Sequence, residues 1–226
     1  MEEYFIMRRK IFYGIILLTV VLFTMGADSK NDELKRMSTF ISNFTEANYY
    51  DFDVQRNGDE GMTHFGNSSE NEGLIFFGIA HNLLNNKSRI KNCPDKNCPY
   101  GSKIIDAKFI TESVRKYFDL PVKHASILGT LPEGAEDGDP ADEPEQAHFD
   151  GKNYHFNPAT FTSDTLLYAD VQKVSRQGKI ITMTGEIYHS NNKSIRPATF
   201  TATAKPYKFA NKDTWAILSL KFSWKE

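Results

Sequence analysis

The residues able to carry chemistry fall in four places. Cys93 and Cys98 stand in Asn-Cys-Pro-Asp-Lys-Asn-Cys-Pro-Tyr-Gly, with four residues between them. Two prolines, a Tyr-Gly and an Asp-Lys-Asn make this an irregular, turn-rich loop. The expected outcome is a local disulfide Cys93–Cys98, contributing about 2 kcal/mol by constraining the unfolded chain. The alternatives are a redox pair, which usually has two intervening residues, and half of a metal site whose other half is missing. His148 and His155 flank Phe149–Tyr154. Asp150-Gly151 between them is a hairpin signal, so the two imidazoles can be brought together. They are weak metal candidates, because the sequence identifies no third ligand.

His81 lies with Leu74, Phe77 and Leu84 on one helical face. A histidine there serves as a base in a pocket or, more plainly, as a hydrogen-bonded core residue. Asp170 and Glu186 lie on two neighbouring strand segments. Paired carboxylates can drive their pKa values apart and share acid/base work. Their companions Thr182, Thr184 and Tyr188 read instead as a wetted sheet surface. No GxSxG, HExxH, Walker A or GxGxxG pattern occurs, and no catalytic-type Cys–His pattern. No cofactor is expected. His81, Asp170 and Glu186 are thus the candidates should there be catalysis.

The elements that must position these groups follow from periodicity. Leu34, Met37, Phe40, Ile41 and Phe44 share a helical face over Asp32–Thr45. Glu72–Asn85 is apolar around most of its circumference, which predicts a buried helix. A third helix is expected over Asp106–Phe118, with Asp106 as N-cap and Pro121 as the stop. From Glu133 to Glu145 there are seven acids, two prolines and no base, which predicts a solvated loop. Its alternating carboxylates lack the spacing, glycine and final glutamate of an EF-hand loop.

Beyond it the period changes to two. Asn153–Phe156, Thr165–Val174, Lys179–Tyr188, Ala198–Ala204 and Trp215–Phe222 read as strands joined by turn-forming links. Helices first and strands afterwards indicate an α+β fold: three N-terminal helices packed on a curved antiparallel β-meander of four to five strands. The inward sets Leu167, Ala169, Val171 and Ile181, Met183, Ile187 must share a face. A three-residue loop Arg176-Gln177-Gly178 satisfies that. It sets Tyr168 opposite Glu186 and Asp170 opposite Thr184, leaving Asp170 and Glu186 diagonal.

Composition fixes the class more than the activity. Of 226 residues, 27 are basic and 29 acidic, so no basic footprint for nucleic acid exists. Arg8, Arg9 and Lys10 precede the uncharged run Ile11–Phe23, and Thr24-Met25-Gly26 follows. Residues 1–27 therefore read as a signal peptide or, if uncleaved, an N-terminal membrane anchor over 11–27. Glu2 and Glu3 are out of place in such a segment, and translation is expected to begin at Met7. Residues 28–226 form one exported α+β domain, with a helical half at about 32–120 and a sheet half at about 149–224. The leader carries a net +1, which leaves −3 on the exported part. Four Asn-x-Ser/Thr matches, from Asn43, Asn67, Asn86 and Asn192, matter only in a glycosylating host.

The phrases STFISNFTEANYYDF, LIFFGIAHN, ITESVRKYFD, YADVQKV, RPATFTATAKPYKF and KDTWAILSLKF resemble small exported proteins of gut-type Gram-negative bacteria, many with a lipid-anchor cysteine. The resemblance spans most of 32–222, and the anchor cysteine is missing here. It implies a periplasmic or cell-surface location and no particular catalytic residue. The helix-then-sheet order is also similar to the cystatin-like or NTF2-like cone. Together these readings predict a non-catalytic module binding a small ligand or an envelope protein, touching membrane only through an uncleaved N-terminal segment. A small-pocket enzyme using His81 or Asp170/Glu186 is the alternative.

Overall fold

The structure is a computed structural model, and it describes residues 31–57, 60–63, 70–128, 145–163 and 165–225. The leader 1–27, the start at Met7 and nearly all of the acidic segment 133–145 lie outside the described residues. Among those described, no helix is long and apolar enough to cross a membrane.

In chain order the elements are α1 (31–45), β1 (Phe52–Asn57), β2 (Glu60–Thr63), α2 (Glu70–Asn85), β3 (Lys91–Asn92), β4 (Lys103–Asp106) and α3 (Ala107–Phe118). There follow β5 (Ile127–Leu128), β6 (Glu145–Phe149), β7 (Asn153–Phe156), β8 (Leu167–Gln177), β9 (Ile180–His189), β10 (Ala198–Phe209) and β11 (Lys212–Trp224). They build two antiparallel sheets, β2-β1-β11-β10-β9-β8 and β3-β4-β7-β6-β5.

The fold is α+β, but three N-terminal helices on one meander is not its architecture. Strands β1 and β2 separate α1 from α2, and β3 and β4 separate α2 from α3. Strand β7, expected to open the meander, belongs to the second sheet beside β4 and β6. The cause is physical. The six strands the periodicity missed are two to six residues long. Segments so short have no alternation of their own and exist through distant partners, as when Phe52 pairs with Leu220 and Ile104 with His155.

The long elements form as their patterns dictate. Met37, Ile41 and Phe44 of α1 and Ile75, Phe77 and Ile79 of α2 are fully buried. Asp106 caps α3, its carboxylate accepting from Lys108 N at 2.9 Å. Asp119, in the left-handed region at φ 57°, ends the helix before Pro121. The rings of Phe44, Phe52, Phe77 and Phe118 meet at centroid distances between 5.1 and 5.9 Å. These aromatics fill the interior between helices and sheet instead of lining a cavity.

Strand β8 ends the larger sheet, and α1 seals it. Ala169 N donates to Ser42 Oγ at 3.0 Å and Val171 N to Ser38 Oγ at 2.9 Å, while Thr45 Oγ1 donates to Leu167 O at 2.5 Å. Spacings of four and three residues set these hydroxyls along one flank of the helix. They pair backbone groups that an edge strand otherwise offers to another chain.

The β8–β9 register differs from the expected one. The loop is Gly178-Lys179, two residues, with Gly178 at φ 59°. A bulge at Gln172 then shifts the ladder, so that Val174 pairs with Met183 but Val171 with Gly185. Asp170 therefore stands directly opposite Glu186, and Tyr168 opposite Tyr188. Gly185 is required here, because a Cβ on it would come within 2.0 Å of Asp170 O.

Candidate functional site

Asp170 and Glu186, now face to face, share one cation. Arg196 Nη1 lies 2.9 Å from Asp170 Oδ2 and 3.0 Å from Glu186 Oε2. Lys225 Nζ adds a contact of 2.6 Å to Glu186 Oε1, and Gln172 Nε2 one of 3.1 Å to Oε2. The hydrogen bond from Lys225 chiefly, with Gln172 and Arg196, holds the Glu186 carboxyl below the usual range. A general acid needs the opposite shift. The pair is a charge clamp joining β8, β9 and the chain around β10. Arg196 and Lys225 were not foreseen as its partners, since nothing local to the carboxylates marks them.

His81 sits on α2, only 4% exposed. Its ring stacks on Phe77 at 5.6 Å and meets the edge of Tyr117 at 4.8 Å. The Asn85 and Asn86 amides lie 3.4 Å from its two ring nitrogens. Burial first, then Lys116 and Arg89, push its pKa down to about 3. The imidazole is therefore neutral in ordinary buffers, and its surroundings are those of a core residue.

A cleft of about 550 Å³ opens where the outer flank of α1 meets the outer face of β8 and β9. Tyr168 and Tyr188 stand side by side in its wall, with ring centroids 5.8 Å apart. Lys35 contributes from α1, Glu46 from the turn that follows it, Asp170 from the strand, and Lys193 from the loop after β9. Burial, Glu46 and Tyr188 all raise the Tyr168 phenol, which stays neutral and able to donate. The sheet beyond carries a hydroxyl row, with Ser175 paired to Thr182, Thr182 to Thr203 and Thr203 to Ser219.

The remaining candidates come together elsewhere. Strands β3 and β4 close a hairpin whose loop holds Cys93 and Cys98, and β4 pairs with β7. Gly101, at φ 129°, lets this loop lie on β7, since a Cβ would fall 2.2 Å from Phe156 C. Cys93 Sγ and Cys98 Sγ then lie 3.6 and 3.4 Å from His155 Nδ1. The two cysteines are free thiols in this arrangement. His155 Nε2 is 2.9 Å from Asp150 Oδ2, and Asp150 also accepts from Lys152 N and Asn153 N. The Asn153 amide foremost, with His155, holds Asp150 far below the usual carboxylate range. Burial opposes charge on His155, but Asp150 and Cys98 outweigh it and raise its pKa. Burial likewise opposes the Cys98 thiolate, and the Tyr100 amide and His155 overcome it, lowering that thiol.

The Asp150-Gly151 hairpin forms and places His148 directly across from His155. Their centroids are 6.1 Å apart, and the His148 ring stacks on Tyr100 at 3.8 Å. The histidine pair is thus adjacent, but the thiols, and not His148, crowd His155 Nδ1.

Set against family models, curated proteins and solved structures, the chain gives no match in any of the three.

Proposed function

We propose that the chain is an exported, non-catalytic binding module of the cell envelope, and that it takes an oligosaccharide in the cleft between α1 and the β8–β9 pair. The observation carrying this is the side-by-side placement of Tyr168 and Tyr188 in a cleft walled by Glu46, Asp170, Lys35 and Lys193. A sugar ring has an apolar C–H face and a rim of hydroxyls. Neighbouring phenol rings suit the face, and carboxylates and ammonium groups suit the rim. Export rests on the basic cluster and apolar run at residues 8–23.

Lys225 and Arg196 hold the Glu186 carboxyl in its charged form, and His81 is enclosed against Phe77 and Tyr117 and does not line this cleft. A calorimetric panel of envelope-type oligosaccharides tests the reading. Saturable binding is expected for at least one, weakened roughly tenfold by Tyr188→Ala, or about 1.4 kcal/mol. Binding untouched by that substitution contradicts the cleft assignment. A stable protein that answers only to a protein partner contradicts the ligand class.

A further inference from the structure

We propose that Cys93, Cys98 and His155 are three ligands of a zinc-type metal site that fastens the 93–102 loop to β7.

The geometry carries the argument. A tetrahedral zinc ion with Zn–S near 2.3 Å and Zn–N near 2.05 Å places sulfur and nitrogen ligands about 3.6 Å apart. The two Sγ–Nδ1 separations are 3.6 and 3.4 Å. All three donor atoms lie within 4.8 Å of one another. Both thiols converge on one nitrogen, whose single lone pair is the donor a metal ion would share with the two sulfurs.

The outer contact is the one a metal-binding histidine uses. His155 Nε2 faces the Asp150 carboxylate at 2.9 Å, so in the neutral ring that binds a metal Nε2 keeps the proton and Nδ1 turns its lone pair to the sulfurs. Asp150 is itself held by two backbone amides at 2.8 and 2.6 Å. The ring orientation is therefore built into the β6–β7 turn before any ion arrives. Cys93 follows directly on β3, whose ladder continues through the Cys93 N–Ser102 O bond of 2.9 Å. Gly101 presses the far side of the loop onto Phe156. Two of the three ligands thus hang from paired backbone.

Two thiolates and one imidazole form a soft set that selects zinc or cuprous copper over magnesium or calcium. With three protein ligands the fourth position falls to water or an outside donor, the arrangement of reactive zinc sites more than of closed structural ones. Thiol–disulfide exchange with an outside disulfide, which takes up the two electrons and both thiol protons as it is reduced to two thiols, can instead close these sulfurs into a disulfide at about 2.05 Å and remove both ligands at once. Metal binding and the disulfide are mutually exclusive states of this loop.

The test is cobalt and zinc titration of the full chain, reduced and freed of metal. The expected result is one equivalent of cobalt with a thiolate-to-cobalt charge-transfer band, displaced by zinc. Cys98→Ser and His155→Gln should each weaken binding at least 100-fold, and Asp150→Asn about 10-fold to 100-fold. His148→Gln should leave it unchanged. Cys98 lies in the loop, so its serine variant folds, and circular dichroism verifies this for each variant. The proposal is overturned if the reduced chain binds no cobalt, or if His155→Gln binds as the parent does. It is equally overturned if the native protein carries a Cys93–Cys98 disulfide that resists reduction while the fold is intact.

Discussion

Arg196 Nη1 bridges Asp170 and Glu186, 2.9 Å from one carboxylate and 3.0 Å from the other, where the two residues face each other across β8 and β9. Without that cation two like charges would stand opposite on one sheet face, which is destabilising. Arg196→Met should therefore lower Tm at pH 7. The sign with pH follows from Glu186, whose folded pKa is depressed. Its contribution is full above the unfolded pKa of about 4.5 and disappears as pH falls through the lower folded value. The Arg196→Met penalty should thus shrink at pH 3, as thermal melts of both proteins at the two pH values will read.

His81 makes a separate pH prediction. Its folded pKa, about 3, lies below the ordinary value of 6.5. Between those values the unfolded chain takes up a proton that the folded chain refuses, so stability falls as pH drops from 6.5 toward 3. The loss from this group between pH 7 and pH 4 is about 3 kcal/mol. His81→Phe should flatten that part of the profile in urea denaturation. The imidazole carbon resonance of His81 should show no titration above pH 4, and a midpoint near 6.5 would refute the assignment.

Ser38 and Ser42 close the edge of β8. Replacing both by alanine orphans the amides of Val171 and Ala169, at about 1–3 kcal/mol each where water cannot reach. It also frees an edge strand for pairing with another copy. The double variant should melt lower and form concentration-dependent oligomers in light scattering. A monodisperse variant with unchanged Tm would show that α1 is not the seal.

Gly78 of α2 faces Ile110 of α3, and an added Cβ would fall 2.5 Å from Ile110 Cγ2. Gly78→Ala should cost about 1–3 kcal/mol through overpacking. Ile110→Ala, costly by itself, should make the added loss from Gly78→Ala smaller, because it removes the Cγ2 methyl that the new Cβ meets. Additive losses in denaturant titrations would contradict a shared contact.

What the sequence makes legible divides by range. The helices at 31–45, 70–85 and 107–118 and the strands β8 to β11 lie close to where periodicity puts them, because each is long enough to repeat its pattern. Neither the two-residue loop Gly178-Lys179 nor the bulge at Gln172 leaves a composition mark, and the two together turn the expected diagonal of Asp170 and Glu186 into a direct pair. Strands such as β3 and β5, two residues each, exist only through pairing. The cysteine and histidine halves were each visible and each incomplete. Cys98 and His155 are 57 residues apart, and the β4–β7 ladder that unites them comes from a four-residue segment. From sequence Tyr188 reads as part of a wetted surface and Tyr168 as a partner of Glu186; their pairing follows from the register, and the cleft above them is made by α1.

The cleft is the centre of the account, and tyrosine ring resonances probe it most directly. With the full chain labelled on tyrosine, an oligosaccharide panel should produce saturable shifts at Tyr168 and Tyr188, while the buried Tyr49 and Tyr154 stay fixed. Silence at Tyr168 and Tyr188 across the panel, or saturable shifts confined to residues outside the cleft, would contradict it.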